Sequence, residues 1–268
     1  MNDFRPYQQP GLEPESPSEH GVLLRHRRVS VSQALSWIPA GWRMMPGNWG
    51  LVLGVLITIV MINLALGVVP ILGDLVLFLI MPLLYAGLVQ LADNIQRGEE
   101  ARFTDLFAGF NNRATPLMLS ALAQAGVIIA MTLVFAGLLF AVAGGVGMEN
   151  LDASMPLMWV LGALLLIAVV VLTFMFYFVV PLIYLGQRGV MDAIAASFYA
   201  CLENIVAMVV YGLCVIGLLL VGLLTLGVGL LVVMPLLMMA YYQAFRAIFM
   251  VESTPGEEPQ QGQTHSLF

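Results

Sequence analysis

The sequence predicts an all-α fold, a polytopic transmembrane helical bundle with six spanning helices, interfacial amphipathic helices and internal parallel repeats. The 268-residue chain is 60% hydrophobic and 10% charged, whereas soluble domains are about 25% charged. Several apolar runs also reach the roughly 18 uncharged residues that cross a bilayer. In addition, one stretch recurs: residues 81–90 read MPLLYAGLVQ, residues 234–243 read MPLLMMAYYQ and residues 180–186 read VPLIYLG.

Hydropathy and turn residues divide the chain into a membrane domain, residues 31–250, between two tails. The six predicted spans are residues 50–66, 75–95, 115–142, 155–185, 205–223 and 229–250. Amphipathic segments, predicted to lie along the membrane surface, cover residues 31–47, 96–113 and 188–203. The tails, residues 1–30 and 251–268, are expected to be disordered because they are polar and rich in Pro. The first tail lacks the apolar core of a signal peptide, so the first span is expected to act as an uncleaved signal anchor.

The first amphipathic segment contains several aromatic and proline residues. Trp37, Trp42 and Trp49 are expected at the level of the lipid headgroups, where amphipathic rings are favoured. Pro39 and Pro46 are expected to prevent one continuous helix, because proline removes a backbone donor and clashes with the preceding turn.

The arginines predict the orientation in the membrane. Six spans place every arginine on the same side: Arg5, Arg25, Arg27, Arg28, Arg43, Arg97, Arg102, Arg113, Arg188 and Arg246. The turns on the opposite side contain Asp74, Glu149 and Asp152 but no arginine. Since basic residues accumulate in cytoplasmic loops, both termini are predicted to be cytoplasmic.

The repeated unit is predicted to consist of an interfacial helix, an asparagine and a helical hairpin with Pro-Leu in its returning arm. Trp42 with Asn48 matches Phe198 with Asn204, since the asparagine comes six positions after the aromatic residue in each pair. Residues 105–107, Asp-Leu-Phe, form a looser middle copy, and whether there are two or three copies stays open. The asparagines are expected to cap the spans that follow them. The returning arms carry the prolines, which bend a helix and free a carbonyl that a neighbouring helix must satisfy: Pro82, Pro181 and Pro235.

A few polar residues in or near the spans are interaction candidates. Gln90 and Gln243 occupy matching places, and three residues later Asp93 is matched by Arg246. These opposite charges are either an ion pair near the cytoplasmic boundary or two side chains that extend separately to water. Deeper in the spans, Asn63 and Gln124 mark either a substrate path or, as we favour, hydrogen bonds between helices.

Signatures of chemistry are missing from the sequence. It contains no HExxH, GxSxG, Walker A or dinucleotide-binding pattern, so no catalytic residue, cofactor or metal site is predicted. The two cysteines, Cys201 and Cys214, are expected to be small buried apolar residues. No basic stripe predicts nucleic-acid binding. The absence of ionisable residues near mid-membrane argues against ion-coupled transport, although a facilitator or a lipid-handling groove remains compatible.

Residues 30–250 resemble a family of six-helix bacterial inner-membrane proteins of no established function. The resemblance lies in the motifs GW…N, MPLL, DLFAGF, PLIYLGQRGVMDAI and SFYACLEN. These residues are also similar to the membrane domain of some glycerophosphodiester phosphodiesterases. The resemblance implies a Gram-negative inner membrane.

These observations together predict a non-enzymatic membrane protein that acts as a scaffold, an accessory subunit or a membrane-organising protein. Its expected partners are the lipid bilayer and either a second copy of the chain or another membrane protein. The alternative is a transporter or facilitator for small solutes or lipids.

Overall fold

A computed structural model describes residues 26–146 and 151–250, without the side chains of residues 143–146 and 151–154. The predicted tails therefore lie outside the described residues, except for residues 26–30. The helices are α1 (Val31–Arg43), α2 (Trp49–Gly67), α3 (Leu72–Arg97), a 3₁₀ turn (Phe103–Phe107), α4 (Ala108–Asn111), α5 (Ala114–Val146), α6 (Leu151–Phe176), α7 (Val179–Tyr184), α8 (Val190–Glu203), α9 (Ile205–Leu224) and α10 (Leu230–Phe249).

Six segments of the described chain are long and apolar enough to cross a membrane: α2, α3, α5, α6 with α7, α9 and α10. The segment in α5 has a mean hydropathy of 2.6 over its most apolar 18 residues, yet none of these residues is buried within the protein. Side chains this apolar have to face lipid or another protein rather than water. The predicted fold class is confirmed, and the chain is a multi-pass membrane protein.

The core of the bundle lies at the end that carries the arginines, which we call the arginine end. Its largest buried side chains come mainly from the second half of α3, from α7 and the residue before it, and from α10, including Leu83, Phe178 and Phe245. Towards the opposite end the helices expose large apolar side chains, among them Leu64, Leu133 and Leu224. The bundle is therefore tightly packed at one end and dependent on an apolar environment at the other.

The amphipathic helices pack into the bundle at the arginine end. Helix α1 lies mainly against α10, the 3₁₀ turn and α4 against α3, and α8 against α6 and α7. Small residues permit these approaches: a Cβ atom added to Gly41 would lie 2.7 Å from the backbone nitrogen of Ala240. On α3, a Cβ added to Gly87 would lie 2.0 Å from the carbonyl oxygen of Leu106. Each amphipathic segment thus contacts a returning arm of the bundle.

One expectation for the first amphipathic segment is wrong, and the depth predicted for its tryptophans stays a prediction. Helix α1 runs without interruption through Pro39. Pro39 is exposed, so its ring points away from the bundle and the carbonyl it frees can reach water. Trp37 is not at the surface, because it is only 2% exposed and packs edge-on against Tyr211, with 5.2 Å between ring centroids. Trp42 does lie on the surface, where it is 48% exposed and packs edge-on against Trp49.

The predicted asparagine caps are also corrected. Asn48 and Asn204 stand at the N-cap positions of α2 and α9, but neither side chain bonds to the helix that follows. Their ψ angles are 0° and 24°, whereas capping side chains usually project from extended backbone. Asn204 instead accepts a hydrogen bond from the backbone of Val29 at 2.7 Å and donates one to the carbonyl of Arg27 at 3.0 Å. It therefore fixes the segment before α1 onto the bundle.

Candidate functional site

The fourth span is interrupted where its proline removes a helical hydrogen bond. Helix α6 ends at Phe176 and α7 begins at Val179. Pro181 has no N–H to offer the carbonyl four residues earlier, which belongs to Tyr177. That carbonyl accepts a hydrogen bond from the hydroxyl of Tyr241 on α10 at 2.6 Å. The expectation that a neighbouring helix satisfies the freed carbonyl is confirmed here.

A second contact secures the same break from α8. The hydroxyl of Ser197 accepts a hydrogen bond from the backbone N–H of Phe178 at 3.0 Å and donates one to the carbonyl of Phe174 at 2.8 Å. In α3 and α10, by contrast, the helix continues through Pro82 and Pro235. The interrupted span is thus fixed by polar contacts from two neighbours, although it lies within the membrane domain.

A cavity of about 670 Å³ adjoins this break, and we call it the central cavity. Its walls come from α2, the returning arms α3 and α10, α5, and the junction between α6 and α7. The lining residues are Leu56, Phe78, Met81, Pro82, Tyr85, Leu88, Val89, Ala121, Gln124, Phe176, Tyr177, Val180, Met234, Leu237, Met238, Tyr241 and Tyr242. Pockets that bind small molecules typically measure about 300–1,000 Å³ and are mostly apolar. The central cavity has the size and composition of such a pocket.

Polar groups in the central cavity are few and uncharged. Gln124 contributes a half-buried carboxamide that forms no hydrogen bond with the described part of the chain. Asn63, the other deep amide, does not line the cavity and donates to the carbonyl of Ile59 in its own helix at 2.8 Å. The cavity therefore offers one free amide among apolar and aromatic walls, while the hydroxyls of Tyr241 and Tyr242 already donate to oxygen atoms of the protein.

Asp93 lies in the core, only 1% exposed. Its carboxylate accepts a hydrogen bond from the hydroxyl of Tyr242 at 2.6 Å and forms an ion pair with Arg97, one helical turn later, at 3.0 Å. Buried carboxylates need such partners, because losing water without compensation is costly. The predicted ion pair between Asp93 and Arg246 is not formed among the described residues, because Asp93 pairs with Arg97 on its own helix instead.

A second, polar pocket of about 410 Å³ lies at the arginine end. We call it the polar pocket, and it is lined by Ala40, Arg43, Met44, Pro46, Asn48, Ile95, Gln96, Gln243 and Arg246. The amide of Gln243 donates hydrogen bonds to the side-chain oxygen of Gln96 and to the sulfur of Met44. The pocket thus joins α1 and the turn after it to α3 and α10.

Gln90, predicted to match Gln243, also reaches toward an amphipathic segment. Its amide donates to Asn94 at 2.7 Å, and the amide of Asn94 donates to the carboxylate of Asp105 at 2.9 Å. Asn94 therefore connects α3 to the 3₁₀ turn, and Gln90 supports it from within α3. Gln243 itself connects α10 to the residues after α1.

The remaining candidate residues are part of the packed structure. Phe198 is half-buried and packs against Tyr199. Cys201 is buried in α8, and burial raises the pKa of its thiol to about 12, so it is a poor nucleophile at neutral pH. Within the described residues there is no group of three His, Cys, Asp or Glu side chains that could hold a metal ion.

Sequence reasoning did not single out the tyrosines of the central cavity. The rings of Tyr177 and Tyr241 pack edge to face there, with 5.4 Å between their centroids. The hydroxyl of Tyr241 also bonds to the interrupted backbone at Tyr177. A possible signal was the presence of tyrosines in or beside all the returning arms, but tyrosine is also common near membrane surfaces.

Comparison with known proteins identifies the family but no activity. Residues 41–260 match the family model described as a domain of unknown function, DUF7847. Because the match covers most of the chain, the protein belongs to this family. No curated protein and no solved structure shows a significant match. The resemblance to the membrane domain of glycerophosphodiester phosphodiesterases stays a prediction.

Proposed function

We propose that this member of the DUF7847 family is a non-enzymatic protein of the bacterial inner membrane that holds a lipid chain or a similarly apolar molecule in the central cavity. The observation that carries the proposal is the cavity itself, about 670 Å³ of space between spanning helices. The cavity reaches Gln124, one of the two deep polar residues that the sequence presented. This geometry favours the lipid-handling alternative over the scaffold that the sequence favoured first.

The chemistry of the walls supports an uncharged, apolar occupant. None of the residues that line the central cavity is Asp, Glu, Lys, Arg or His, and transport of ions or coupling to protons usually requires such groups. Gln124 can bind one polar atom of a ligand, such as an ester oxygen, while the apolar walls contact its chain. Tyr85 and Met234 line the cavity and are each about half exposed, so lipid chains can reach it from outside the bundle.

We further infer that the membrane domain consists of three parallel repeats around an axis along the membrane normal, with both termini in the cytoplasm. The packing supports this inference because each amphipathic segment contacts a returning arm of another hairpin: α1 contacts α10, the 3₁₀ turn contacts α3, and α8 contacts α6 and α7. Parallel repeats of this kind place a shared site near the axis. The central cavity, with walls from all three returning arms, fits that location.

Assembly with a partner is the second candidate function. Gly50 and Gly54 form a GxxxG pattern on α2, and a Cβ atom added to either would meet no atom within 4 Å. Their surface is therefore free for a second copy of the chain or for another membrane protein, as such patterns often are.

The test is to purify the full-length protein from native membranes and to analyse it by native mass spectrometry and lipid extraction. We expect one retained apolar molecule per chain. Ala121→Phe should abolish retention because Ala121 is 1% exposed and its side chain lines the cavity. Ala130→Phe is the matched control, since Ala130 is an exposed residue of the same helix.

Each outcome bears on the proposal. If Ala121→Phe fails to fold, Leu237→Phe fills the cavity from α10 instead and carries the same expectation. Equal retention by the wild type and by a folded cavity variant would contradict the proposal. A stoichiometric protein partner without any retained lipid would favour the scaffold.

A further inference from the structure

We propose that the polar pocket binds a phosphate group, carried by a phospholipid headgroup or free in solution, between the guanidinium groups of Arg43 and Arg246. This site is separate from the central cavity and does not depend on what occupies it. The two arginines come from the last turns of α1 and α10, which pack against each other at the arginine end. No acidic side chain lines the pocket.

The other arginines of the bundle show why these two are unusual. Several of them bind oxygen atoms of the protein, either carboxylates or backbone carbonyls: Arg27, Arg28, Arg97, Arg102 and Arg113. Within the described part of the chain, the guanidinium groups of Arg43 and Arg246 form no hydrogen bond or ion pair. Arg246 is also half-buried, so water solvates its charge less well than on an open surface. An anion between the two arginines would supply the missing partner.

The uncharged groups of the polar pocket suit the same ligand. Gln243 directs its amide to the side-chain oxygen of Gln96, which leaves the amide N–H groups of Gln96 available to a ligand. Guanidinium groups bind phosphate through paired, charge-assisted hydrogen bonds. A volume of about 410 Å³ leaves room for more than a bare phosphate, and basic pockets at the cytoplasmic ends of spanning helices are known to bind lipid headgroups.

Binding to the purified full-length protein in detergent tests the proposal. The probes are inorganic phosphate, short-chain phosphatidylglycerol, and short-chain diacylglycerol, which has the same tails without the phosphate. We expect phosphatidylglycerol to bind, and its affinity to fall at least about tenfold in Arg43→Gln and in Arg246→Gln, the cost of a charge-assisted contact. Diacylglycerol should not show this dependence on the arginines.

Arg102→Gln is the matched control, because it removes one exposed arginine that pairs with Glu100 outside the pocket. It should bind phosphatidylglycerol as the wild type does. Should Arg246→Gln fail to fold, Arg43→Gln alone decides the question, since Arg43 is exposed and unpaired among the described residues. Ala121→Phe, which fills the central cavity, should leave binding at the polar pocket unchanged, so failure of one proposal is distinguishable from failure of the other.

The outcomes also separate the two sources of phosphate. Inorganic phosphate that binds with the same dependence on Arg43 and Arg246 would assign the site to free phosphate, whereas binding of the lipid alone would assign it to a headgroup. The proposal is overturned if neither inorganic phosphate nor phosphatidylglycerol binds, or if phosphatidylglycerol binds to both arginine variants as tightly as it binds to the wild type.

Discussion

Replacing Gly87 by alanine tests whether close backbone contact holds the 3₁₀ turn against α3. A Cβ atom at this position would lie 2.0 Å from the carbonyl oxygen of Leu106, 2.4 Å from its carbon, and 2.7 Å from the carbonyl oxygen of Asp105. All of these are backbone atoms, so no side chain can rotate away. Since ordinary contact begins at 3.4 Å, the nearest oxygen has to move by the difference, about 1.4 Å.

The expected cost follows from two opposing effects. Extra atoms in a well-packed core cost about 1–3 kcal/mol, and a rigid backbone contact belongs at the upper end of that range. Against this, replacing a glycine within a helix by alanine stabilises the helix by roughly 0.5–1 kcal/mol. The net loss should be about 2 kcal/mol. The shift would also strain the hydrogen bond that joins Asn94 to Asp105, because it crosses the same contact.

Reversible unfolding of the purified protein in mixed micelles measures this loss. Gly126→Ala on α5 is the control, because a Cβ atom there would meet nothing within 4 Å, and its stability should stay constant or rise slightly. If Gly87→Ala proves as stable as Gly126→Ala, then α3 and the 3₁₀ turn are not in the close contact described above, and the reasoning is refuted.

Two further predictions concern buried and surface charges. Tyr242→Phe removes the hydroxyl that donates to Asp93 and should lower the free energy of unfolding by roughly 1.5–3 kcal/mol. The control Tyr85→Phe changes a tyrosine that is 54% exposed and should have little effect. Equal effects of the two substitutions in unfolding titrations would contradict the role of the buried hydrogen bond. Hydrogen bonds from Arg28 and His26 hold the pKa of Glu203 below its usual 4.5. The carboxylate therefore stabilises the fold above that pH and loses this effect as the pH falls through the lowered pKa. Melting temperatures should therefore show the wild type losing its advantage over Glu203→Gln in acid, and an advantage that stays constant with pH would argue against the contact.

The spans follow from the sequence because crossing a bilayer imposes length and hydropathy on each helix separately. The sequence did not show whether Pro39 would end a helix, because the outcome depends on where the carbonyl freed by the proline lies. The same limit applies to Asn204: its place at the start of a span was predictable, but its actual partners, Arg27 and Val29, approach from a distant part of the chain.

The candidate site was only partly predictable. Gln124 was identified as a deep polar residue, and Gln243 as a member of a repeated motif. The central cavity itself was not, because a cavity is the space that helices leave between them and no single segment encodes it. Arg43 was predicted only to lie on the same side of the membrane as the other arginines, and its place in one pocket with Arg246 depends on the packing of α1 against α10.

The sequence by itself determined the class of this protein, its apolar spans, the distribution of its arginines and the need to satisfy a carbonyl freed by Pro181. These are properties of single segments in a membrane, where each helix must satisfy its own backbone. Only the tertiary structure decided that Tyr241 satisfies that carbonyl, that Asp93 contacts Tyr242, and that the returning arms enclose a cavity. These features depend on distances between helices, which are set by the close approach of small residues such as Gly41 and Gly87.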